Sequence, residues 1–306
     1  MSKNIHTSIG IEFNPTSLRA AWVQGTPDHL EFKGSRELMG DFTKKKLFVE
    51  ALKDLKGVMG FSSSEPVATA ISGKQVHVVQ MPFKKLPESE MKNALRFEIR
   101  QNLPFDAMGA SLGYQWIGTD QLMVAVVAGN YFKHQVECYT EASMNVQILD
   151  VLPLCLSNGM WARKMEMEPG LAQVCLHFGE ENCTLVVDGD GVPFYSRTIL
   201  FRVNRLFAQN GDVAQDVEVE NALALFGEEL RRSLNFYEKN NDTKGFSRMV
   251  LSGKFCNELR LQQALRKDVG LTMESQSVKT ILHGTENLPD FEYDVALTLA
   301  MRGVGK

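Results

Sequence analysis

The side chains most able to do chemistry, by type and spacing, lie between residues 177 and 191. Asp188-Gly189-Asp190-Gly191 has the opening of a calcium loop, where alternate carboxylates ligate the ion. No Glu closes that loop, so a hairpin turn is the better reading. His177 ends an apolar stretch beside Gly179 and has the chemistry of a base or a ligand. No His, Cys or carboxylate stands near it at metal-ligand spacing, which makes it a structural histidine. Glu180-Glu181 could act as an acid pair, but adjacent carboxylates at a turn are usually solvated. Lys92, Arg96 and Arg100 recur at i, i+4 and i+8, a row that suits an acidic partner or a solvated helix face.

Other chemistries are excluded by what is missing. The triplets Ser72-Gly73-Lys74 and Ser252-Gly253-Lys254 lack the upstream glycine of a phosphate loop. No HExxH, GxSxG or GxGxxG stands in a suitable context. The 5 cysteines form no CxxC and read as buried reduced thiols; no zinc cluster is present. A net charge of −4 gives no electrostatic case for nucleic acid or an anionic membrane surface. No apolar run reaches the ~18 residues of a membrane span. The start, MSKNIHTSIGIEF, has no cleavable signal pattern, and the stretch from Met301 to Lys306 is too short for an amphipathic anchor.

These groups must be positioned by an α/β scaffold. With 306 residues and 44% hydrophobic content, one large domain or two linked ones is expected. Strands are expected at 9–13, 18–23 and 30–38, with turn chemistry at Asn14-Pro15-Thr16-Ser17. Asp41 can cap a helix whose apolar face is Leu47, Phe48, Ala51, Leu52 and Leu55. Strands follow at 67–72 and 76–82. A helix then starts at Pro87-Glu88 and buries Met91, Ala94, Leu95, Ile99 and Leu103 before Pro104 stops it. Strands at 114–117 and 122–128, a helix from Asn130, a strand at 146–151 and a helix at 154–164 complete the first half. After Pro169-Gly170 the opening pattern returns, with strands at 172–178, 183–187 and 192–199. Helices at 216–239, 257–268 and 293–301 and a strand at 249–253 follow. The recurrence hints at a duplicated, two-lobed fold.

The segment from Met81-Pro82-Phe83 through Arg96-Phe97-Glu98 to Leu103-Pro104-Phe105 resembles the type IV pilus assembly protein PilM family, in the actin-like superfamily that includes FtsA. Leu149-Asp150-Val151 with Leu156, the run Arg231 to Tyr237, Val250-Leu251-Ser252-Gly253 and the run Ala296 to Gly303 resemble further family signatures in the same order. The resemblance implies a two-lobed actin-like (ribonuclease-H-like duplication) fold with an inserted FtsA-type subdomain. The first lobe would be 1–76 plus 150–168, the insert 77–149, the second lobe 169–200 plus 246–306, and a helical insert 201–245. It further implies a cytoplasmic scaffold, peripheral at the inner membrane. Its partners would be the cytoplasmic tail of a PilN-like membrane protein and pilus motor components, with no nucleic acid and no direct membrane insertion. Met81, Pro82, Phe83, Leu103, Pro104 and Phe105 are the expected partner-binding residues.

The superfamily holds ATP and Mg²⁺ between its lobes, in glycine-rich turns preceded by aspartates. Here Glu12-Phe13-Asn14-Pro15 stand at the first turn, His177 before Gly179 at the second, and Lys254 after Gly253 at the adenosine turn. Glu12, Asn14, His177, Gly179, Gly253 and Lys254 would therefore form a degenerate ATP cleft. Phe201-Arg202-Val203-Asn204 replace a glycine pair. Lost donors and lost close approach predict no hydrolysis and weak or absent ATP/Mg²⁺ binding, hence no cofactor. Two alternatives stay open: an ATP-binding switch or ATPase of the pilus machine, and the cytoplasmic part of a type II secretion protein of the GspL kind.

Overall fold

The computed structural model describes residues 6–26, 28–163, 168–207, 216–274 and 277–305. It begins with an antiparallel meander: β1 (His6–Phe13), β2 (Ser17–Thr26) and β3 (His29–Met39). β1 is buried from Ser8 to Phe13, whereas β3 has no buried residue. A strand covered on both faces reads as continuously apolar, and an edge strand does not. Helix α1 (Lys45–Met59) then leads to β4 (Pro66–Ile71), which pairs parallel to β1. Next come β5 (Val76–Pro82), α2 (Glu88–Ile99), β6 (Ser111–Ile117) and β7 (Gln121–Val127). Helix α3 (Gly129–Glu141), β8 (Asn145–Val151) and α4 (Leu152–Ala162) end the first half.

The second half repeats the plan. β9 (Ala172–Phe178), β10 (Asn182–Asp188) and β11 (Tyr195–Leu200) form a meander. Helices α5 (Val203–Phe207) and α6 (Asp216–Asn240) precede β12 (Phe246–Gly253), which pairs parallel to β9. α7 (Leu259–Val269), β13 (Met273–Glu274) and α8 (Asp294–Val304) follow. The two five-stranded sheets have orders β3-β2-β1-β4-β8 and β11-β10-β9-β12-β13, the same topology twice. The duplication suggested by the sequence pattern is thus present strand for strand.

Each half gives its last helix to the other half. α4 packs on β9 and β10, and α8 packs on β1, β2 and β4. α8 lies very close to the first sheet. A Cβ on Gly10 would stand 1.9 Å from the Ala296 carbonyl oxygen, and one on Gly303 1.9 Å from Ser8 Oγ. Glycine is needed at both places for the backbones to meet. Between the helices, Arg163 Nη2 donates to Asp294 Oδ2 at 3.1 Å, and both side chains are buried. Asp294 Oδ1 also accepts from Ser277 Oγ at 2.5 Å and from the Val278 N–H at 3.0 Å.

The insert is a three-stranded sheet, β5-β7-β6, with α2 on one face. Met91, Leu95 and Ile99 of α2 pack with Leu122, Val124 and Val126 of β7. The other face of the sheet joins the central core through Val78 and Val127, which meet Ile71 and Val151 of the first lobe and Phe194 of the second. Gln80 Oε1 of β5 accepts the Phe194 N–H at 2.8 Å, so the insert touches both lobes.

Several local expectations change. β8 pairs with β4, and Tyr139 of α3 bonds Thr69 of β4 at 2.7 Å, so both elements belong to the first lobe. The separate unit therefore ends at Val127 rather than at 149, because α3 is the crossover helix that returns the chain to a parallel strand. Asp41 does not cap α1, which starts after Lys44; its carboxylate instead accepts from Thr43. Leu47 is exposed and Val49 is buried in its place. β11 starts at Tyr195, not at 192, since Pro193 has no N–H for the ladder and gives its carbonyl to Tyr237. Lys164, the expected end of α4, lies outside the described residues.

Candidate functional site

The site lies where the two meanders face each other. Pairing of Phe13 with Leu18 leaves residues 14–17 as the first turn; pairing of Phe178 with Cys183 leaves 179–182 as the second. Register sets the side chains behind each turn. Glu12, Arg19 and Glu37 form one row across β1, β2 and β3. His177 lies between Thr184 and Ser252 across β10, β9 and β12. The rows meet between the lobes, with His177 Nε2 3.8 Å from Glu12 Oε1.

Glu12, His177 and Arg19 are all buried. Burial pushes the Glu12 carboxyl up to about 7, against the pull of the Arg19 guanidinium. Burial, aided by Arg19, pushes His177 down to about 4. The two shifts agree that the contact joins a neutral imidazole to a carboxyl that resists ionisation, so it is not an ion pair near neutral pH. Arg19 is held by Glu37 at 2.7 Å, and His177 Nδ1 is 3.2 Å from Ser252 Oγ. Above this layer the turns touch: Thr16 Oγ1 donates to Glu180 Oε2 across the lobes.

Glu12, Asn14, His177, Gly179, Gly253 and Lys254 line one cavity of about 20 Å³, shared with Arg19, Glu180 and Glu292. Gly253 has φ +96°, and a Cβ there would lie 2.3 Å from the Phe178 carbonyl oxygen. A larger cleft, about 810 Å³, opens beside the turns; Asn14, His177, Gly179 and Glu180 line it too, together with Phe42, Lys74, Tyr131, Gln135 and Arg202. Two turn N–H groups bond within their own turns: Asn14 N donates to Ser17 O at 2.8 Å and Gly179 N to Asn182 O at 3.0 Å.

The six insert residues are divided. Met81, Phe83, Leu103 and Phe105 pack, half-buried, against the insert's own core, while Pro82 and Pro104 are exposed. Asp188 is the last residue of β10 and accepts from Trp161 Nε1 at 2.9 Å and from Ser157, which anchors α4. Among the described residues no cluster of metal-ligating side chains occurs, and no helix is long and apolar enough to cross a membrane. Sequence reasoning missed Thr16, Arg19, Glu37 and Ser252. Arg19 carried a signal, since a cation inside the apolar run Leu18-Arg19-Ala20-Ala21 requires a buried partner.

No protein-family model and no curated protein matches the sequence. Among solved structures, the chain is similar to a chain of the PilM-PilN type IV pilus biogenesis complex, with TM-score 0.81 and 22% identity. That match covers 98% of this chain and 99% of the other. The cytoplasmic domain of EpsL, an inner-membrane component of the type II secretion system of Vibrio cholerae, matches with TM-score 0.52 and 8% identity. It covers 97% of this chain and 94% of that one. Ethanolamine utilization protein EutJ from Carboxydothermus hydrogenoformans matches with TM-score 0.53 and 8% identity, over 99% of this chain and 90% of its own. The fold, two lobes of one topology with a three-stranded insert, is thus shared from end to end with that chain of the PilM-PilN complex.

Proposed function

We propose that this protein is a scaffold of a type IV pilus assembly apparatus that binds the cytoplasmic tail of a PilN-like inner-membrane protein, and that its interlobe cleft no longer holds nucleotide. The supporting observation is the end-to-end likeness to a chain of the PilM-PilN complex, insert included. The tail would give apolar anchors and backbone pairing to the region where the insert joins the first lobe. Of the six expected contact residues Pro82 and Pro104 are exposed, Pro82 at the end of β5 away from the junction at Val76 and Val127.

The residues between the lobes fit Mg·ATP poorly. The six cleft residues share a cavity of only about 20 Å³, and the larger cleft that Asn14, His177 and Gly179 also line carries the acidic side chains of Glu180 and Glu181. Pro15 offers no N–H, and the Asn14 and Gly179 N–H groups are already bonded within their turns. Glu12 and Glu180 put acidic side chains, not cationic or N–H donors, into the lining of the small cavity. Lys254 and Arg202 remain as cations near the cleft, but they do not restore the missing donors.

Two titrations test the proposal. A synthetic peptide of a PilN-like cytoplasmic tail should bind saturably, and calorimetry with Mg·ATP should give no micromolar binding. Failure of every PilN-like tail to bind would reject the scaffold role. Micromolar Mg·ATP affinity would reject the lost cleft and favour the nucleotide-switch reading.

A further inference from the structure

We infer that Glu180 is a built-in latch: its carboxylate takes the place of a bound anion between the two turns and holds the lobes closed through Thr16 without nucleotide. This rests on the proposed loss of nucleotide from the cleft. Residue 180 belongs to the β9–β10 turn of one lobe and residue 16 to the β1–β2 turn of the other. Their hydrogen bond spans 164 positions of chain and crosses the gap that separates the two meanders.

The turn geometry supports the role. In the first turn Asn14 N–H bonds Ser17 O, and Pro15 O accepts the Phe42 N–H at 2.7 Å. This leaves the Thr16 hydroxyl as a donor free to face outward. Gly179 is fixed by Asn182 at 3.0 Å, which aims the next side chain across the gap. Below the latch, Glu12 and His177 meet with no charged pair to pull the lobes together. The Thr16–Glu180 bond is therefore the charge-assisted contact between the turns, and such bonds are stronger than neutral ones.

Hydrogen exchange on the full chain, read in peptides covering 13–18 and 178–183, tests the latch. The variants are Thr16→Val, Glu180→Gln and the two combined, with Glu181→Gln as a neighbouring control. Thr16→Ser, which keeps the hydroxyl, should retain protection. Each single change that removes the bond should raise exchange about fivefold or more in both turns, including the turn left unaltered, and the double should add little beyond either single. A rise confined to the altered turn, or effects that simply add, would overturn the latch. Micromolar Mg·ATP binding by the unaltered chain would instead overturn the proposed function, leaving a coupled cycle as a latch that competes with nucleotide.

Discussion

At the scale of single residues, the Glu12–His177 contact makes a pH prediction with a definite sign. Glu12 rises from 4.5 to about 7 on folding, so its neutral form is favoured in the folded protein. That contribution is fully present below pH 4.5 and is lost as pH rises through 7. His177 falls from 6.5 to about 4, so its contribution is present above 6.5 and is lost as pH falls through 4. Between 4.5 and 6.5 the two slopes oppose each other: folding moves a proton from imidazole to carboxylate and leaves the total unchanged. Glu12→Gln should therefore expose a stability that climbs with pH between about 4 and 6.5. His177→Gln should expose one that declines between 4.5 and about 7. Each slope approaches about 1.4 kcal/mol per pH unit. Urea denaturation across this range, variants against the unaltered chain, checks it; identical profiles would contradict the neutral pair. A second residue-scale prediction concerns the partner surface. Pro104→Glu, exposed and outside the insert's core, should weaken tail binding by about tenfold while leaving the melt unchanged.

At the scale of elements, α8 is fixed by close approach and by charge. Gly10→Ala places a methyl 1.9 Å from the Ala296 carbonyl, which no rotamer can relieve, so β1 and α8 must separate. A loss of about 3 kcal/mol is expected from denaturant melts. The Arg163–Asp294 pair joins α4 to α8 in a dry place, and Arg163 Nε has no partner there. Burial raises Asp294 while Arg163 opposes the shift. Arg163→Met alone should cost about 3–5 kcal/mol by stranding a buried carboxylate, and adding Asp294→Leu should recover most of it. A double variant no more stable than the single would show that the pair itself holds the helices. Element type was largely legible from periodicity, since Met91, Leu95 and Ile99 recur at helical spacing and are buried as one stripe. Ends were less legible: Asp41 has a capping side chain, but Thr43 takes it, and nothing local says so.

At the scale of the whole molecule, two sheets of one topology exchange their last helices, and the insert reaches the first lobe through Val78 and Val127 and the second through Gln80 and Phe194. The sequence by itself determined the duplicated plan, because turn residues and apolar runs recur after Pro169-Gly170 and local pattern encodes local structure. It also placed Glu12, Asn14, His177, Gly179, Gly253 and Lys254 together, through the order of strand ends that the family resemblance implies. Tertiary structure alone decided that β8 and α3 belong to the first lobe, since a strand's partner depends on register across more than seventy residues. It alone set Arg19 between Glu12 and Glu37 and brought Glu180 onto Thr16. Glu180-Glu181 read in sequence as a solvated pair at a turn. Only the packing of one lobe against the other gave the first of those carboxylates a donor, because contacts between lobes follow from how the two sheets dock and leave no period in the chain.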